Sequence, residues 1–407
     1  MPEPLPRLRT NLDFMPSPDE KRPGLLIRDS YQYSDATLIV PPLLVECLQF
    51  FDGEHTELDL RQLLVQLTGD LRTSDIEEHL VRSLSDAGFL DNENYARLRE
   101  ERHREFASAP VREPAHAGSA YPDAPDELSL QLAGYLKDGK GSPADATLVG
   151  VAAPHVSLDG GWESYQSAYR LLGPQYADRT FVVLGTSHYG SPERFGLTRK
   201  PFVSPLGEAV TDLGLVDRLE RHGGPAVLME DYCHSIEHSI EFQVLFLQHL
   251  YGAKVRILPV LCGAFGRSIY EGGMPEDDDD VRQFLGALGD IAASERVRLF
   301  WVLGIDMAHM GRRYGDRFVA RASQDRMESV AARDRARIRR LSEGDRAGFW
   351  TLVQENHDDL KWCGSSVLYT FLAAIPSARA RLEHYQQWNI DPQSVVSFGG
   401  LGFIAGQ

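Results

Sequence analysis

Three histidines that each follow a run of apolar and β-branched residues, and one cysteine late in the chain, are the residues best placed to do chemistry. They stand in Val149-Gly-Val-Ala-Ala-Pro-His155, Thr180-Phe-Val-Val-Leu-Gly-Thr-Ser-His188, Leu299-Phe-Trp-Val-Leu-Gly-Ile-Asp306-Met-Ala-His309 and Trp362-Cys363-Gly364. In an open α/β sheet the carboxyl ends of the strands form one rim, and ligands bind in the crevice there. Side chains remote in sequence therefore converge when they follow different strands of one sheet. Two neutral imidazoles and a thiolate, with another His and an Asp close by, suit a single divalent transition metal.

Each residue also has a plainer explanation. Pro154 biases its predecessor toward extended backbone, so a strand leads straight into His155, and Asp159-Gly-Gly-Trp-Glu163 then opens a helix. One loop histidine is more often structural than a ligand, but His155 and His188 at matching strand ends reverse that balance. Asp306 and His309 read as an i, i+3 pair at a helix start, which places both on one side. Asp306 would orient a ligand imidazole or simply cap that helix, and His309 would act as acid or base beside the metal. Cys363 precedes the helix-entry sequence Gly364-Ser365-Ser366, where a thiolate is favoured; buried cysteines also pack without function. Cys262, at the end of another apolar run, is the rival thiol. His234-Ser-Ile-Glu237-His238 matches the H-x-x-E-H pattern of inverted zinc proteases. Three fixed positions in five are weakly specific, and these groups equally suit the exposed start of an amphipathic helix from Glu237. A zinc hydrolase is therefore the third-ranked reading.

The elements that must position these groups are visible around them. From about residue 118, helical stretches (127–136, 162–172, 237–250) alternate with β-rich runs (147–152, 180–184, 255–261, 298–303, 395–404). Such alternation implies a mostly parallel central sheet flanked by helices. Residues 1–105 read differently, as a small helical domain: an apolar helix over 41–51 closed by Asp52-Gly53, a second opened by a Thr56/Asp59 capping box, and a third opened by Ser74 with Glu77 and stopped at Gly88. That outline is winged-helix-like. A polar helix (92–106) leads into a linker over 106–117, and 118–407 forms the α/β domain.

At 407 residues two domains are the natural prior. The formal net charge of −17, with 10 Lys/Arg against 19 Asp/Glu in residues 1–100, argues against binding nucleic acid or an anionic membrane. Four cysteines without CxxC spacing are no disulfide framework. No signal-peptide pattern or bilayer-length apolar run is present, so a cytoplasmic protein is expected.

The same segments carry a resemblance. Ala117-Gly-Ser-Ala-Tyr-Pro122, Ala153-Pro-His155, Leu184-Gly-Thr-Ser-His188, Glu237-His-Ser-Ile-Glu241, Ile257-Leu-Pro-Val260, Asp306-Met-Ala-His309-Met-Gly and Cys363-Gly364 occur in this order in the Memo family, whose prokaryotic members are called AmmeMemoRadiSam system protein B. The resemblance covers about 117–407. It implies a fold like that of the class III extradiol dioxygenases and a mononuclear non-haem iron site of two His and one Cys. Carried over, the ligands are His155, His188 and Cys363. His309 falls at the acid/base position, with Asp306 and His238 nearby. The first domain resembles PqqD-like modules through Phe51-Asp-Gly53 and Ala87-Gly-Phe-Leu90. Two departures stand out: Ala120 replaces a Trp common in relatives, and Val156-Ser157-Leu158 replaces Ala-Gly-Tyr.

The leading expectation is thus a mononuclear non-haem iron redox protein or enzyme using Fe(II), a dioxygenase-like oxidoreductase if it is an enzyme, with copper or zinc as alternative occupants because a thiolate is soft. The family resemblance implies radical-SAM and AMMECR-type partner proteins, and the substrate is a small molecule or peptide of unassigned identity. A non-catalytic adaptor, docking partners through the first domain, is the second reading.

Overall fold

The computed structural model describes residues 3–137 and 148–406. Thr147, the first residue of one expected strand, lies outside the described residues, as do Met1 and Pro2 of the first expected domain and Gln407 at the end of the second. The chain divides into two compact units, Met1–Ser108 and Ala109–Gln407.

The first unit is not purely helical. Strands Leu12–Pro16, Leu25–Asp29 and Thr37–Val40 form an antiparallel sheet ahead of helices Glu57–Thr68, Ser74–Asp86 and Glu93–Ser108. The expected helix over 41–51 is instead two short 3-10 turns, Pro42–Leu44 and Glu46–Phe50. The tandem Pro41-Pro42 leaves its first turn without two N–H donors. The Thr56/Asp59 capping box forms as expected, and Gly88 closes the next helix with φ +70°. Ser74 does not cap: Thr73 holds that position without a side-chain bond, and Glu77 is buried against Arg61.

The second unit is built on a mixed sheet with a parallel centre. Strands Leu148–Ala153, Leu299–Gly304, Thr180–Thr186 and Arg256–Cys262 run parallel in that spatial order, and Ser394–Ala405 joins antiparallel beside the first. Their side chains alternate between two cores. Val182, Leu184, Leu258, Val260, Trp301 and Leu303 face one, which includes helices Asp279–Ser294 and Ser365–Ala374. Phe181, Val183, Ile257, Leu261, Phe300 and Val302 face the other, with helices Leu158–Tyr169 and Glu241–Tyr251. This period of two, buried on both faces, is why the strands read as unbroken apolar runs.

Register does the positioning. Gly304 pairs with Ala153 on one side and Gly185 on the other, and Cys262 pairs with Thr186. Residues two or three beyond those ends, His155, His188 and Asp306, are thereby delivered to one rim. Gly185 and Gly304 make this rim flat. A Cβ on Gly304 would stand 2.2 Å from the Ser239 carbonyl oxygen, and one on Gly185 would stand 2.5 Å from Ser239 Oγ and Ile240 Cγ1. Only glycine lets residues 239–240 lie across the strand ends.

Two expected elements change. Helix 237–250 is broken: Cys233–Ile236 forms one turn, Glu237 is extended (φ −80°, ψ 136°), and the main helix starts at Glu241. The expected linker is structured. Its first residues finish helix Glu93–Ser108, and Arg112 is buried in the second unit, donating to the carbonyls of His234 and Glu237 at 2.7 Å and pairing with Glu241. A buried guanidinium needs such acceptors, so this segment is fixed rather than free. Among the described residues no helix is long and apolar enough to cross a membrane.

Leu184 is fully buried on the strand that delivers His188. Leu184→Ala is expected to cost about 2–5 kcal/mol, measured as a lowered urea midpoint with an unchanged m-value.

Candidate metal centre

His155 leaves strand Leu148–Ala153 through Pro154 and is 2% exposed. Its backbone N–H donates to Asp306 Oδ1 at 3.0 Å, and Nδ1 lies 3.2 Å from the Gly304 carbonyl oxygen. A carbonyl only accepts, so Nδ1 carries the proton and Nε2 keeps its lone pair. His188 is held by one carboxylate twice over. Its N–H donates to Glu237 Oε2 at 2.9 Å, and its Nδ1 lies 3.0 and 3.1 Å from the two Glu237 oxygens. His238 Nδ1 lies 3.1 Å from Glu237 Oε1. Three rings are thus fixed through Nδ1, which leaves Nε2 of each to other partners.

These rings converge. His155 stands edge-on to His188 and His238, with centroids 5.0 and 5.1 Å away, while His188 and His238 stack 5.1 Å apart. One ligand atom from each of the three lies within 4.8 Å of the others, a grouping that could hold a metal ion. Cys363 joins from the entry of helix Ser365–Ala374, with Sγ 3.2 Å from His155 Nε2 and 3.6 Å from the Asp306 carbonyl oxygen. Gly364 is required beside it, since a Cβ there would meet Ile305 Cβ at 2.5 Å.

Burial and mutual charge set the protonation states. Burial pushes His155 well below the usual imidazole range, reinforced by positive charge at His188 and His238. Burial alone would raise the Glu237 carboxyl, yet His188 and His238 hold it well below the ordinary carboxylate range. His188 is raised well above its usual value: burial opposes protonation, but Glu237 and Cys363 outweigh it. Burial raises the Cys363 thiol, with His188 opposing.

The Asp306–His309 segment departs from expectation. It forms no helix: His309 opens strand His309–Gly311, paired with Val396, and the Met307 N–H donates to Ser397 O at 2.8 Å. Cross-chain bonds hold this stretch extended. Asp306 binds the His155 backbone and comes within 3.6 Å of Nε2, so the proton on Nδ1 is oriented by the Gly304 carbonyl instead. His309 Nδ1 lies 2.9 Å from Met307 O and 3.0 Å from Lys361 O, again leaving Nε2 bare. Burial and the nearby His188 charge push its pKa down to about 4.

The H-x-x-E-H reading fails on geometry. The break at Glu237 destroys the i, i+4 relation; His234 Nε2 instead lies 3.0 Å from Gly196 O and its ring packs on Phe202. Cys262, the rival thiol, is fully buried in the core on one face of the sheet. His238, expected as a neighbouring acid/base group, stands as the third imidazole. Sequence reasoning also missed that both glutamates of the tandem Glu237-His-Ser-Ile-Glu241 orient imidazoles. Glu241 accepts from His116 N–H at 3.0 Å and lies 3.1 Å from His116 Nδ1, and the His116 ring stands 5.6 Å from His238. The repeat of the motif was the available signal.

A family model described as Memo-like protein matches residues 112–402. A MEMO1 family protein of Aquifex aeolicus is 24% identical over 383 residues, spanning 93% of this chain and 95% of its own length. One from Thermococcus kodakarensis is 29% identical over 306 residues, spanning 72% of this chain and 99% of its own length. One from Thermus thermophilus is 26% identical over 269 residues, spanning 66% of this chain and 74% of its own length.

Burial raises Asp306 to about 7, against the hydrogen bond from the His155 N–H. A carboxyl raised on folding contributes stability below its unfolded pKa of about 4 that is lost as pH climbs through 7. Asp306→Asn removes that loss. In metal-free protein, its stability relative to wild type is expected to be higher at pH 8 than at pH 4, read from urea unfolding at both.

Proposed function

Since the chain belongs to the Memo-like family, we propose that its α/β unit is a mononuclear metal protein, an iron-dependent oxidoreductase. In this reading His155, His188 and Cys363 are ligands, and His238 is positioned to join them. The supporting observation is the shared engagement of Nδ1 on three rings, His155 buried, His238 half-buried and His188 more open, which gathers their ligand atoms into one space beside a thiol. An unligated cluster of this kind is costly, because its imidazoles repel on protonation. The donor set, neutral imidazole nitrogens with one soft sulfur, fits a borderline first-row ion.

Bound Fe(II) would supply Lewis acidity and redox chemistry toward a small substrate or O2. The protein's own residues would do the rest. Glu237 fixes two imidazoles and offsets the charge gathered there, as outer carboxylates do at metal sites. His309, held neutral and with Nε2 bare, is suited to accept a proton from substrate. Asp306, with its pKa near 7, is suited to hold one at Oδ2. The fold is taken to resemble the class III extradiol dioxygenases. The first unit, read as PqqD-like, would dock a peptide or a protein partner of a radical-SAM system.

Anaerobically purified wild type is expected to carry one iron per chain by elemental analysis. His155→Ala, His188→Ala and Cys363→Ala should lose it while remaining folded, and Glu237→Gln should bind about 10–100-fold more weakly. Iron content unchanged in His155→Ala would refute the reading.

A further inference from the structure

One loop serves both halves of the centre. Leu360 O accepts the His309 backbone N–H at 2.9 Å, Lys361 O lies 3.0 Å from His309 Nδ1, and Cys363 two residues on presents its sulfur to His155. The loop does not follow its own backbone preference. Asp358 and Lys361 have φ of +54° and +55°, in the left-handed region that L side chains rarely adopt. Such conformations persist only where surrounding bonds over-determine them.

Those bonds come from helix Arg326–Glu343. Asp334 and Arg337, at i and i+3, share one face and are 0% and 1% exposed, charged groups among the apolar buried residues Met327, Val330, Ile338 and Leu341 of the helix. Arg337 pairs with Asp358 Oδ1 at 2.8 Å and donates to Leu352 O at 2.9 Å, while Asp358 Oδ2 accepts the Trp362 N–H at 3.0 Å. Asp334 Oδ1 accepts Trp362 Nε1–H at 2.7 Å. Asp334 Oδ2 accepts the Ser397 hydroxyl at 2.6 Å and Tyr385 OH at 2.7 Å. Ser397 Oγ in turn accepts the Ala308 N–H at 2.8 Å, inside the Asp306–His309 segment. One carboxylate thus grips the residue before Cys363 and the residue before His309.

We propose that Asp334 and Arg337 are the positioning pair of this centre, locking residues 358–363 and 306–309 so that the Cys363 thiol and the His309 ring are set together. The assignment rests on the metal-site reading above. Neither residue touches the cluster. Both act through Trp362, Asp358 and Ser397.

The test uses the full chain with Asp334→Asn and Trp362→Phe, the second removing only the indole donor. Two measurements are made. The first is Co(II) affinity with the sulfur-to-cobalt absorption band. The second is the rate of iodoacetamide alkylation of the metal-free chain, which reports Cys363 because Cys47, Cys233 and Cys262 are buried. Both variants are expected to bind Co(II) about 10–100-fold more weakly with a diminished thiolate band, and to alkylate several-fold faster. Ile338→Val, a buried change on the same helix, should alter stability alone. Wild-type affinity, spectrum and alkylation rate in Trp362→Phe would overturn the proposal, and that variant decides if Asp334→Asn does not fold. A wild type lacking the cobalt band would instead refute Cys363 ligation, and the alkylation rates would then decide the positioning role by themselves.

Discussion

The centre depends on one buried carboxylate. Glu237 occupies the break between two helical segments, and from there it reaches the Nδ1 atoms of both His188 and His238. Without it, two imidazoles stacked 5.1 Å apart would repel one another as cations or drift between tautomers as neutrals. With it, each ring has its Nδ1 engaged and a fixed direction for its Nε2. The break itself is necessary. A continuous helix through 237 would turn His238 away with its own pitch, and the peptide carbonyl that Arg112 captures would be spent within the helix.

That geometry is set by contacts remote in sequence. Gly185 and Gly304 stand side by side on adjacent parallel strands, and the bare backbone they provide receives Ser239 and Ile240. The segment carrying His238 therefore settles onto the ends of the strands carrying His188 and Asp306. The Memo-like family match, spanning 112–402, begins at Arg112, which holds the same segment through the carbonyls of His234 and Glu237.

Much of this was legible in the sequence and some was not. Apolar runs buried on both faces identified the parallel strands, and matching strand ends placed His155 and His188 together. The helix-entry flank of Cys363 favoured it over Cys262 only slightly, and the sulfur does stand beside His155. The strands of the first unit escaped notice because they are short, with Phe14 44% exposed and Pro16 at the end of one. Asp306–His309 was misread as a helix start because local spacing cannot register the Ser397 bonds that hold it extended. The helix from 237 was extended backward past its true start for the same reason, and with it went the role of Glu237. Asp334 gave no signal at all. Its partners lie 28, 51 and 63 residues away.

The four cysteines are all free, and Cys363 alone is not buried. Oxidants entering from solvent therefore meet that sulfur first, with no second thiol at the surface to capture it as a disulfide. Peroxide would carry it to a sulfenic acid and then onward to irreversible states, so the residue that equips the centre is also where air would first inactivate it.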